Sequence, residues 1–376
     1  MRKMKVFTIL GTRPEIIRLS AIIRKMDQYF DHSLVHTGQN YDYDLNGIFF
    51  DELKLKAPDF YLDCVGPTLG ATIGSIIQKS YDLLSKEKPD AVLILGDTNS
   101  ALAAIAAKRL HIPVFHMEAG NRCWDWCVPE MTNRTIVDHI SDINIAYTNN
   151  SRQYLVSEGI DPKFVFVSGT PMLEVASLYN ELIAKSQILE KYGVEEKKYI
   201  LMSFHREENV EDKNHLFSII KAVNDIAEKY QIPIIVNTHP RTQNALERSS
   251  LEFHSLVKLI KPIGYFDYVK LQKNAYVVIS DSGSLSEEAA IFHFPGVMLR
   301  NSTERQEAND AGTIVIGGIV SETIMQSIDI AVGMKDCGFK LPFEYQVDNV
   351  SEIIVKMIQS YTPIINEKTW RKKQYV

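Results

Sequence analysis

The chain has 376 residues, of which 45% are hydrophobic and 23% are charged, as is usual for a folded globular protein. Its formal net charge of -6 disfavours a nucleic-acid partner, and no apolar run is long enough to predict a membrane span. The four cysteines show neither zinc-ligand nor disulfide spacing, so we expect free thiols, no metal and a cytoplasmic protein.

The first half of the chain alternates short apolar runs with helical patterns. Strands are predicted at residues 6–10, 33–37, 91–95, 114–117, 144–147 and 165–167. Helices are predicted at about 13–26, 41–53, 68–86, 100–110 and 129–140. The first apolar run is only five residues long and leads into a turn, so it predicts a strand and not a signal peptide. This alternation is typical of a parallel sheet with helices on both faces.

The second half repeats the same alternation. Its predicted strands are 199–203, 234–237, 257–260, 276–280 and 297–299, with helices between most of them. The two runs divide near residue 170, which predicts an α/β protein with two Rossmann-like domains, residues 1–170 and 171–354. We expect a final helix, at about 355–376, to pack back on the first domain. No Gly/Ser-rich linker separates the halves, so we expect the domains to face a common cleft.

The stretch after residue 276 combines a strand, a polar turn and a helix. The turn is Asp281-Ser282-Gly283-Ser284, and Ser284 with Glu287 three residues later predicts a capping box. A glycine turn at a helix N-terminus is suited to bind an anion, because backbone N–H groups and the positive end of the helix dipole face one point. For this turn alone, an ordinary capped crossover is an equally good interpretation.

Polar residues recur just beyond the ends of predicted strands, which is where open α/β sheets bind ligands. They are Arg13, Asp97, Glu118, His205, His239 and residues 281–284. Each one alone is compatible with a turn or a helix cap, but their recurrence in both halves favours a ligand site. No G-x-G-x-x-G follows a predicted strand and no Walker sequence occurs, so we expect no nicotinamide cofactor.

Seven motifs occur together in one order between residue 5 and about residue 318. They are Gly11-Thr12-Arg13-Pro14-Glu15, Gly96-Asp97-Thr98, Glu118-Ala119-Gly120 with Arg122, Pro129-Glu130 with Asn133-Arg134, His205-Arg206-Glu207-Glu208-Asn209, Asp281-Ser282-Gly283 with Glu287-Glu288, and Thr303-Glu304-Arg305. With these motifs the sequence resembles the non-hydrolysing UDP-N-acetylglucosamine 2-epimerases. The resemblance implies a glycosyltransferase-B fold, a UDP-N-acetylhexosamine substrate, no cofactor, no metal and a homodimer.

Four further segments, at residues 15–20, 38–43, 115–123 and 237–242, are most similar to one subgroup of that family. Its members form UDP-N-acetyl-L-fucosamine from its 2-epimer, a 6-deoxy-L-talose sugar nucleotide, for capsule and O-antigen synthesis. The sequence leaves the sugar open between this pair and the UDP-N-acetylglucosamine/UDP-N-acetylmannosamine pair. A glycosyltransferase of the same fold, a hydrolysing epimerase and a non-catalytic sugar-nucleotide sensor are the competing hypotheses.

The family reaction removes the C2 proton while UDP leaves C1, and then adds UDP and a proton back. The resemblance assigns acid and base roles to Asp97, Glu118 and Glu130, and a catalytic or diphosphate-binding role to His205. Three carboxylates in one pocket repel one another, so we expect one of them to hold a proton near neutral pH. Glu130 directly follows Pro129 and could instead only offset a helix dipole.

The resemblance also assigns the substrate-binding positions. They are Arg13 and His205 for the diphosphate, the turn Ser282, Gly283 and Ser284 for phosphate, Glu288 for the ribose, Tyr268 for the uracil, and Arg18, His239 and Arg305 as further cleft residues, with Arg122 beside them. Tyr268 and His205 could instead be packed core residues.

This chain departs from the family pattern at several positions. Arg18 replaces the usual lysine, and a guanidinium cannot donate a proton, so we expect only an electrostatic role there. Ser284 replaces the second glycine of the turn, and Met131 replaces an acidic residue. The segment between Glu118 and Glu130 is shortened and carries Trp124-Asp125-Trp126, which we expect to line the sugar pocket. The Gln-His pair of the family's allosteric site is Gln39-Asn40, so we do not expect activation by a second substrate molecule.

Overall fold

The structure is a computed structural model that describes residues 2–38, 47–126, 128–249, 251–335 and 341–372. The chain divides into two compact units. The first unit comprises Met1–Leu178 and Gln346–Val376, and the second unit comprises Tyr179–Tyr345.

The described residues of the first unit form a seven-stranded parallel sheet in the order β3-β2-β1-β4-β5-β6-β7. Its strands are β1 (Lys5–Leu10), β2 (Asp31–His36), β3 (Phe60–Tyr61), β4 (Ala91–Leu95), β5 (Val114–Met117), β6 (Ile143–Ala146) and β7 (Val165–Val167). Every residue of β4 is buried, as expected for a central strand covered on both faces. The order reverses between β1 and β4, and loops leaving the two strands diverge at such a point and open a crevice.

Helices cover this sheet and lead into the second unit. They are α1 (Arg13–Tyr29), α2 (Gly47–Glu52), α3 (Leu69–Glu87), α4 (Ala103–Arg109), α5 (Pro129–Ile140), α6 (Asn149–Ser157) and α7 (Met172–Lys185). Both α1 and α5 have a proline in the first turn, where the missing N–H costs no hydrogen bond. The helix predicted over 100–110 begins as a 3-10 turn, Asn99–Leu102, before α4.

The described residues of the second unit form a six-stranded parallel sheet in the order β10-β9-β8-β11-β12-β13. Its strands are β8 (Ile200–Ser203), β9 (Ile234–Asn237), β10 (Val257–Ile260), β11 (Val277–Ser280), β12 (Gly296–Met298) and β13 (Val315–Ile316). Its helices are α8 (Ile188–Tyr192), α9 (Glu207–Val210), α10 (Lys213–Tyr230), α11 (Pro240–Glu247), α12 (Tyr265–Asn274), α13 (Leu285–Phe292), α14 (Gln306–Asp310) and α15 (Ser321–Gly333). The strand order reverses between β8 and β11, so this sheet repeats the topology around the crevice of the first one.

The last helix, α16 (Val350–Lys368), belongs to the first unit and packs on α1. The Lys25 ammonium lies 3.5 Å from the Glu352 carboxylate, and the Tyr361 ring lies 4.9 Å from that of Phe166. Within the described residues, no helix has the length and apolar character needed to cross a membrane. Nor do His, Cys, Asp and Glu side chains in the described part of the chain form a group that could hold a metal ion.

The α/β class predicted from the sequence is confirmed by these two parallel sheets. Two strands were missed, β3 and β13, and each is a two-residue strand at the edge of its sheet. A two-residue strand is too short to show hydrophobic periodicity, so the sequence carried no signal for either one.

Candidate active site

In the first unit, three predicted site segments lie at the carboxyl ends of β1, β4 and β5, which are neighbours in the sheet. Arg13 follows β1, Asp97 follows β4, and Glu118 follows β5 directly. Since the three strands are parallel, the turns that follow them lie at one edge of the sheet. The topology therefore places these predicted residues beside the crevice between β1 and β4.

Glu118 has an unusual backbone conformation, with φ at +60° in the left-handed region. That conformation costs a non-glycine residue about 1–3 kcal/mol and is typical of functional sites. Gly96 lies beneath the carboxylate, because a Cβ on Gly96 would be 4.0 Å from Glu118 Oε2. The Asn121 side-chain amide donates to Glu118 Oε1 at 3.3 Å, and Arg18 Nε lies 3.9 Å from Oε2. Arg18 thus contacts a predicted catalytic carboxylate directly.

Asp97 is held by two residues of α5. The Arg134 guanidinium donates a hydrogen bond to Asp97 Oδ2. The Asn133 side-chain amide donates to the Asp97 carbonyl oxygen at 3.0 Å and to Asn99 Oδ1 at 3.1 Å. Both the carboxylate and the backbone of Asp97 are therefore fixed from the same helix.

Glu130 lies in the first turn of α5, as predicted, and is partly exposed. In the described part of the chain, no hydrogen bond or ion pair involves its carboxylate. Its position suits either proton transfer or interaction with the helix dipole, and both interpretations stay open. Arg13 lies in the first turn of α1, with its guanidinium carbon 5.6 Å from the centre of the Phe49 ring.

Glu15 is a buried carboxyl group in the motif that follows β1, and the sequence predicts no role for it. Its Oε2 accepts hydrogen bonds from the Gly11 amide at 3.1 Å and the Thr12 hydroxyl at 2.7 Å, and its Oε1 accepts from the Thr98 hydroxyl at 3.2 Å. Burial raises the pKa of Glu15 to about 7, although the hydrogen bonds oppose this shift. Glu15 therefore joins the turn after β1 to the turn after β4, which carries Asp97.

Asp138 is a second buried carboxylate that was not predicted, and it supports the turn after Glu118. It accepts from the Gly120 amide at 3.2 Å, and lies 2.8 Å from Arg122 Nη2 and 3.0 Å from His116 Nδ1. Burial raises its pKa, but His116 and Arg122 outweigh that effect and hold the pKa below its usual value. Arg122 also pairs with Glu158 at 2.6 Å, so it braces the turn behind Glu118.

The shortened segment places Trp124 and Trp126 on the surface of the first unit, with 60% and 65% of each residue exposed. The Trp124 ring packs edge-on against Tyr154 at 5.5 Å. Their expected contact with the sugar stays a prediction. Gln39 and Asn40 lie outside the described residues, and the allosteric prediction lies there with them.

In the second unit, Asp281 joins the turn after β11 to the turn after β8. Its Oδ2 accepts from the backbone amides of His205 and Arg206, both at 2.9 Å, and from the Asn209 side chain at 3.0 Å. His205 Nδ1 lies 3.2 Å from Oδ1. Burial raises the pKa of Asp281, but the His205 charge and the donated hydrogen bonds lower it far below the usual value. The His205 ring is 40% exposed and is oriented by this carboxylate.

The predicted capping box at the start of α13 is wrong. Ser284 makes no side-chain hydrogen bond to the helix, and its hydroxyl lies 3.0 Å from that of Ser282. Glu287 is fully buried and pairs with Arg305 at 2.7 Å instead. An ion pair with a buried guanidinium satisfies the charge of Glu287, because a buried charge is tolerated only when an opposite charge or hydrogen bonds compensate it.

The turn before α13 has an open side. A Cβ on Gly283 would meet no atom within 4 Å, so a ligand could approach the backbone there. The N-terminus of an eight-residue helix follows this turn, and helix N-termini favour anions. The arrangement is therefore suited to a phosphate group.

The remaining predicted residues of this unit lie around the same strand ends. Glu288 is buried and its Oε2 accepts from the Gln272 side chain at 2.6 Å. The Tyr268 hydroxyl lies 3.1 Å from that of Ser203, at the end of β8. His239 accepts a hydrogen bond from the Arg241 amide at the start of α11, and its ring lies 5.7 Å from that of His205. Arg305 is buried and its contact with Glu287 ties it to α13.

Comparison with known proteins finds relatives that match both units. The family model described as UDP-N-acetylglucosamine 2-epimerase matches residues 24–359. A solved UDP-N-acetylglucosamine 2-epimerase from Rickettsia bellii is 42% identical, with a TM-score of 0.92, over 99% of this chain and 100% of that one.

Two further relatives are named for the UDP-sugars that they bind or convert. A UDP-GlcNAc 2-epimerase from Methanocaldococcus jannaschii, solved in complex with UDP-GlcNAc and UDP, is 35% identical, with a TM-score of 0.89, over 95% of this chain and 99% of that one. A UDP-2,3-diacetamido-2,3-dideoxy-D-glucuronate 2-epimerase from Pseudomonas aeruginosa is 35% identical over 335 residues, which are 88% of this chain and 93% of the relative.

Proposed function

The chain belongs to the UDP-N-acetylglucosamine 2-epimerase family, and we propose that it interconverts a UDP-N-acetylhexosamine and its C2 epimer by eliminating UDP and adding it back. The resemblance drawn from the motifs is confirmed, as are the isomerase class and the fold of the glycosyltransferase-B type.

Asp97 and Glu118 carry this proposal, because they are carboxylates at the ends of adjacent parallel strands and share one guanidinium. The C2 proton of the sugar is not next to a carbonyl, so removing it without a leaving group would be very slow. One carboxylate takes this proton while the C1–O bond breaks, the electron pair of the C–H bond forms a C1=C2 double bond, and UDP leaves with the electrons of the C1–O bond. In the return step a diphosphate oxygen attacks C1, and a carboxyl group delivers a proton to the opposite face of C2.

The second unit supplies groups that suit UDP. The turn at Ser282, Gly283 and Ser284 presents backbone N–H groups to a phosphate, and His205 adds a partly exposed imidazole oriented by Asp281. Holding the diphosphate during elimination stabilises the charge that develops on the leaving group and keeps UDP ready for return. We assign Glu288 to the ribose hydroxyls and Tyr268 to the uracil. The complex of the Methanocaldococcus jannaschii relative with UDP-GlcNAc and UDP supports a UDP-sugar as ligand.

We infer that the sugar is either N-acetylglucosamine/N-acetylmannosamine or the 6-deoxy-L-talose/L-fucosamine pair. The Pseudomonas aeruginosa relative acts on a different UDP-sugar, so similarity at this level does not select the sugar. Nuclear magnetic resonance of the purified enzyme with each UDP-sugar tests the choice, because only the true substrate shows signals of the second epimer.

The same assay separates the competing activities. An epimerase that conserves UDP gives two UDP-sugars at equilibrium and no free sugar. A hydrolysing epimerase releases a free N-acetylhexosamine, whereas a glycosyltransferase releases UDP only when an acceptor is present. Release of free sugar at the rate of epimerisation would overturn the proposal.

We further infer a cytoplasmic homodimer that acts in capsule or O-antigen synthesis. Cys64 and Cys123 are free thiols, which suits a reducing compartment. Exposed apolar side chains such as Val65 and Leu69 on the first unit offer surface for a second copy. Light scattering of the purified protein tests the assembly, since a monomer would exclude the dimer.

A further inference from the structure

Arg134 is one of the least exposed arginines of the first unit, with 2% of its surface accessible, and its contacts are with two proposed catalytic residues. It donates to Asp97 Oδ2 and to the Glu118 carbonyl oxygen, and its Nη2 lies 3.5 Å from Glu118 Oε1. One planar guanidinium thus contacts both carboxylates and the backbone of one of them. A lysine could not reproduce this set of contacts, because it lacks the fork of fixed donors.

The contact between Arg134 and the Glu118 carbonyl oxygen matters because the Glu118 backbone has an unusual conformation. With φ at +60°, Glu118 is held in a conformation that a free chain would rarely adopt. The hydrogen bond from Arg134 to the Glu118 carbonyl, and the hydrogen bond from the Gly120 amide to Asp138, stabilise the turn on both sides. The direction of the Glu118 side chain therefore depends on α5.

The spacing on α5 explains how one helix serves the whole group. Glu130, Arg134 and Asp138 are four residues apart, so they lie along one face of the helix. Arg134 contacts Asp97 and Glu118, while Asp138 contacts Gly120. Glu130, the third proposed carboxylate, lies at the start of the same face.

The charged groups near this pair come from three places in the first unit. They include Glu15 and Arg18 on α1, Asp97 and Glu118 after β4 and β5, and Glu130, Arg134 and Asp138 on α5, where the charge of Arg134 also lowers the pKa of Asp138. Arg18 lies 3.9 Å from Glu118 Oε2, whereas Arg134 contacts Asp97 and Glu118 together. Arg134 is therefore a cation that both carboxylates share.

We propose that Arg134 is a positioning residue for the epimerisation: it holds Asp97 and Glu118 ionised and in fixed register, so that one of them accepts the C2 proton in one direction of the reaction. This inference rests on the proposed function. It assigns Glu130, the carboxylate without an ion pair among the described residues, to donating the proton in that direction, and the two roles exchange in the reverse direction.

The direction in which the pH dependence of kcat should shift follows from the positive charge of the Arg134 guanidinium. A carboxylate must be ionised to accept the C2 proton, so the acidic limb of the kcat profile reports its pKa in the complex. A neighbouring cation lowers that pKa, and removing the cation raises it. The Arg134→Gln variant should therefore lose activity at a higher pH than the wild type, with the limb moved upward by about one unit or more.

Three variants distinguish the effect of the Arg134 charge from the effect of the positions that its contacts impose. Arg134→Gln removes the charge and should show the upward shift. Arg134→Lys keeps a charge but loses the fork, so its kcat should fall, up to about 100-fold for a misplaced group, while the limb stays near that of the wild type. Asn133→Ala removes an uncharged contact with the Asp97 backbone. It is the matched control on the same helix and should lower kcat without moving the limb.

The experiment measures C2 proton exchange and epimer formation across pH for the full chain, with thermal unfolding to confirm that each variant is folded. A limb that moves for Arg134→Gln alone is the expected result. An unmoved limb in folded Arg134→Gln, or a wild-type kcat in Arg134→Lys, would overturn the role of Arg134. If Arg134→Gln does not fold, the kcat of Arg134→Lys decides. Absence of exchange in the wild type is a different failure, because it would contradict the proposed function itself.

Discussion

The two units share one sheet topology but use their buried charges differently at the strand ends. In the first unit, the carboxylates of Asp97 and Glu118 lie among arginines near a crevice, and one of them has a left-handed backbone. In the second unit, the buried carboxylates of Asp281 and Glu287 form contacts within the protein that hold the turn after β11 and α13. We therefore propose that the same point of strand reversal supports a reactive group, Asp97 and Glu118, in the first unit and a UDP-binding group, the turns held by Asp281, in the second unit.

The largest expected effect comes from the reactive group. Replacing Glu118 by Gln, or Asp97 by Asn, should lower kcat by roughly 100- to 10,000-fold, because proton transfer at C2 loses its base or acid. Affinity for UDP should remain near that of the wild type, since we assign UDP binding to the second unit. Steady-state kinetics and calorimetric titration with UDP measure both quantities. Turnover that survives replacement of both residues would contradict their catalytic role.

Asp281→Asn tests the proposed UDP-binding group of the second unit, where we expect the affinity for UDP to change. Asp281 is a buried, ionised carboxylate that accepts hydrogen bonds from two backbone amides, and a hydrogen bond to a charged group contributes about 1.5–3 kcal/mol of stability. The turn at His205 should loosen, so UDP affinity should fall together with stability. Because the pKa of Asp281 is lowered in the folded protein, its contribution to stability is fully present at pH values above its ordinary pKa of 3.8. That contribution is lost as the pH falls below this value. Urea unfolding at pH 7 and calorimetric titration measure the two losses, and an unchanged UDP affinity would argue against this role.

Glu15→Gln tests the link between β1 and β4. The folded-state pKa of Glu15 is raised from 4.5 to about 7, so the folded protein holds a proton there that the unfolded chain releases. Stability should therefore fall as the pH rises from about 4.5 through 7, by up to roughly 3 kcal/mol for this group. Glutamine imitates the protonated carboxyl and should remove this part of the pH dependence. Denaturant unfolding at pH 5 and pH 8 makes the comparison, and identical pH profiles for both proteins would disprove it.

Gly283→Ala gives the smallest effect and the cleanest separation of binding from folding. The added methyl group would meet no atom within 4 Å, so stability should stay within about 0.5 kcal/mol of the wild type. UDP affinity should fall by about tenfold, or ~1.4 kcal/mol, if the phosphate approaches that backbone.

Gly120→Ala is the matched control for this substitution. Gly120 has φ at +80°, and its Cβ would lie 2.4 Å from the Ser151 carbonyl oxygen, so this variant should be unstable. Undiminished UDP affinity in Gly283→Ala would show that the turn does not bind phosphate.

The sequence predicted most of the fold because long apolar strands and proline-started helices carry local signals. The bounds of β4, β5, β9 and α5 agree with the predicted ones. The capping box failed for a reason that lies outside the local sequence, since Glu287 pairs with Arg305 from a distant loop. The left-handed backbone of Glu118 and the contacts of Arg134 also depend on packing between segments far apart in the chain. The motifs predicted the candidate residues, but they could not show that Asp97 and Glu118 contact the same guanidinium.

We propose that the first unit removes and returns the proton at C2, and isotope exchange at that carbon follows this step itself. The enzyme is incubated in deuterated water with its UDP-N-acetylhexosamine, and both epimers are examined by nuclear magnetic resonance. Elimination and return predict deuterium at C2 of the product, and then at C2 of the recovered substrate. In the Glu118→Gln variant we expect no deuterium at C2 of either epimer. Epimers that interconvert while C2 keeps its original hydrogen would rule out elimination and return of UDP.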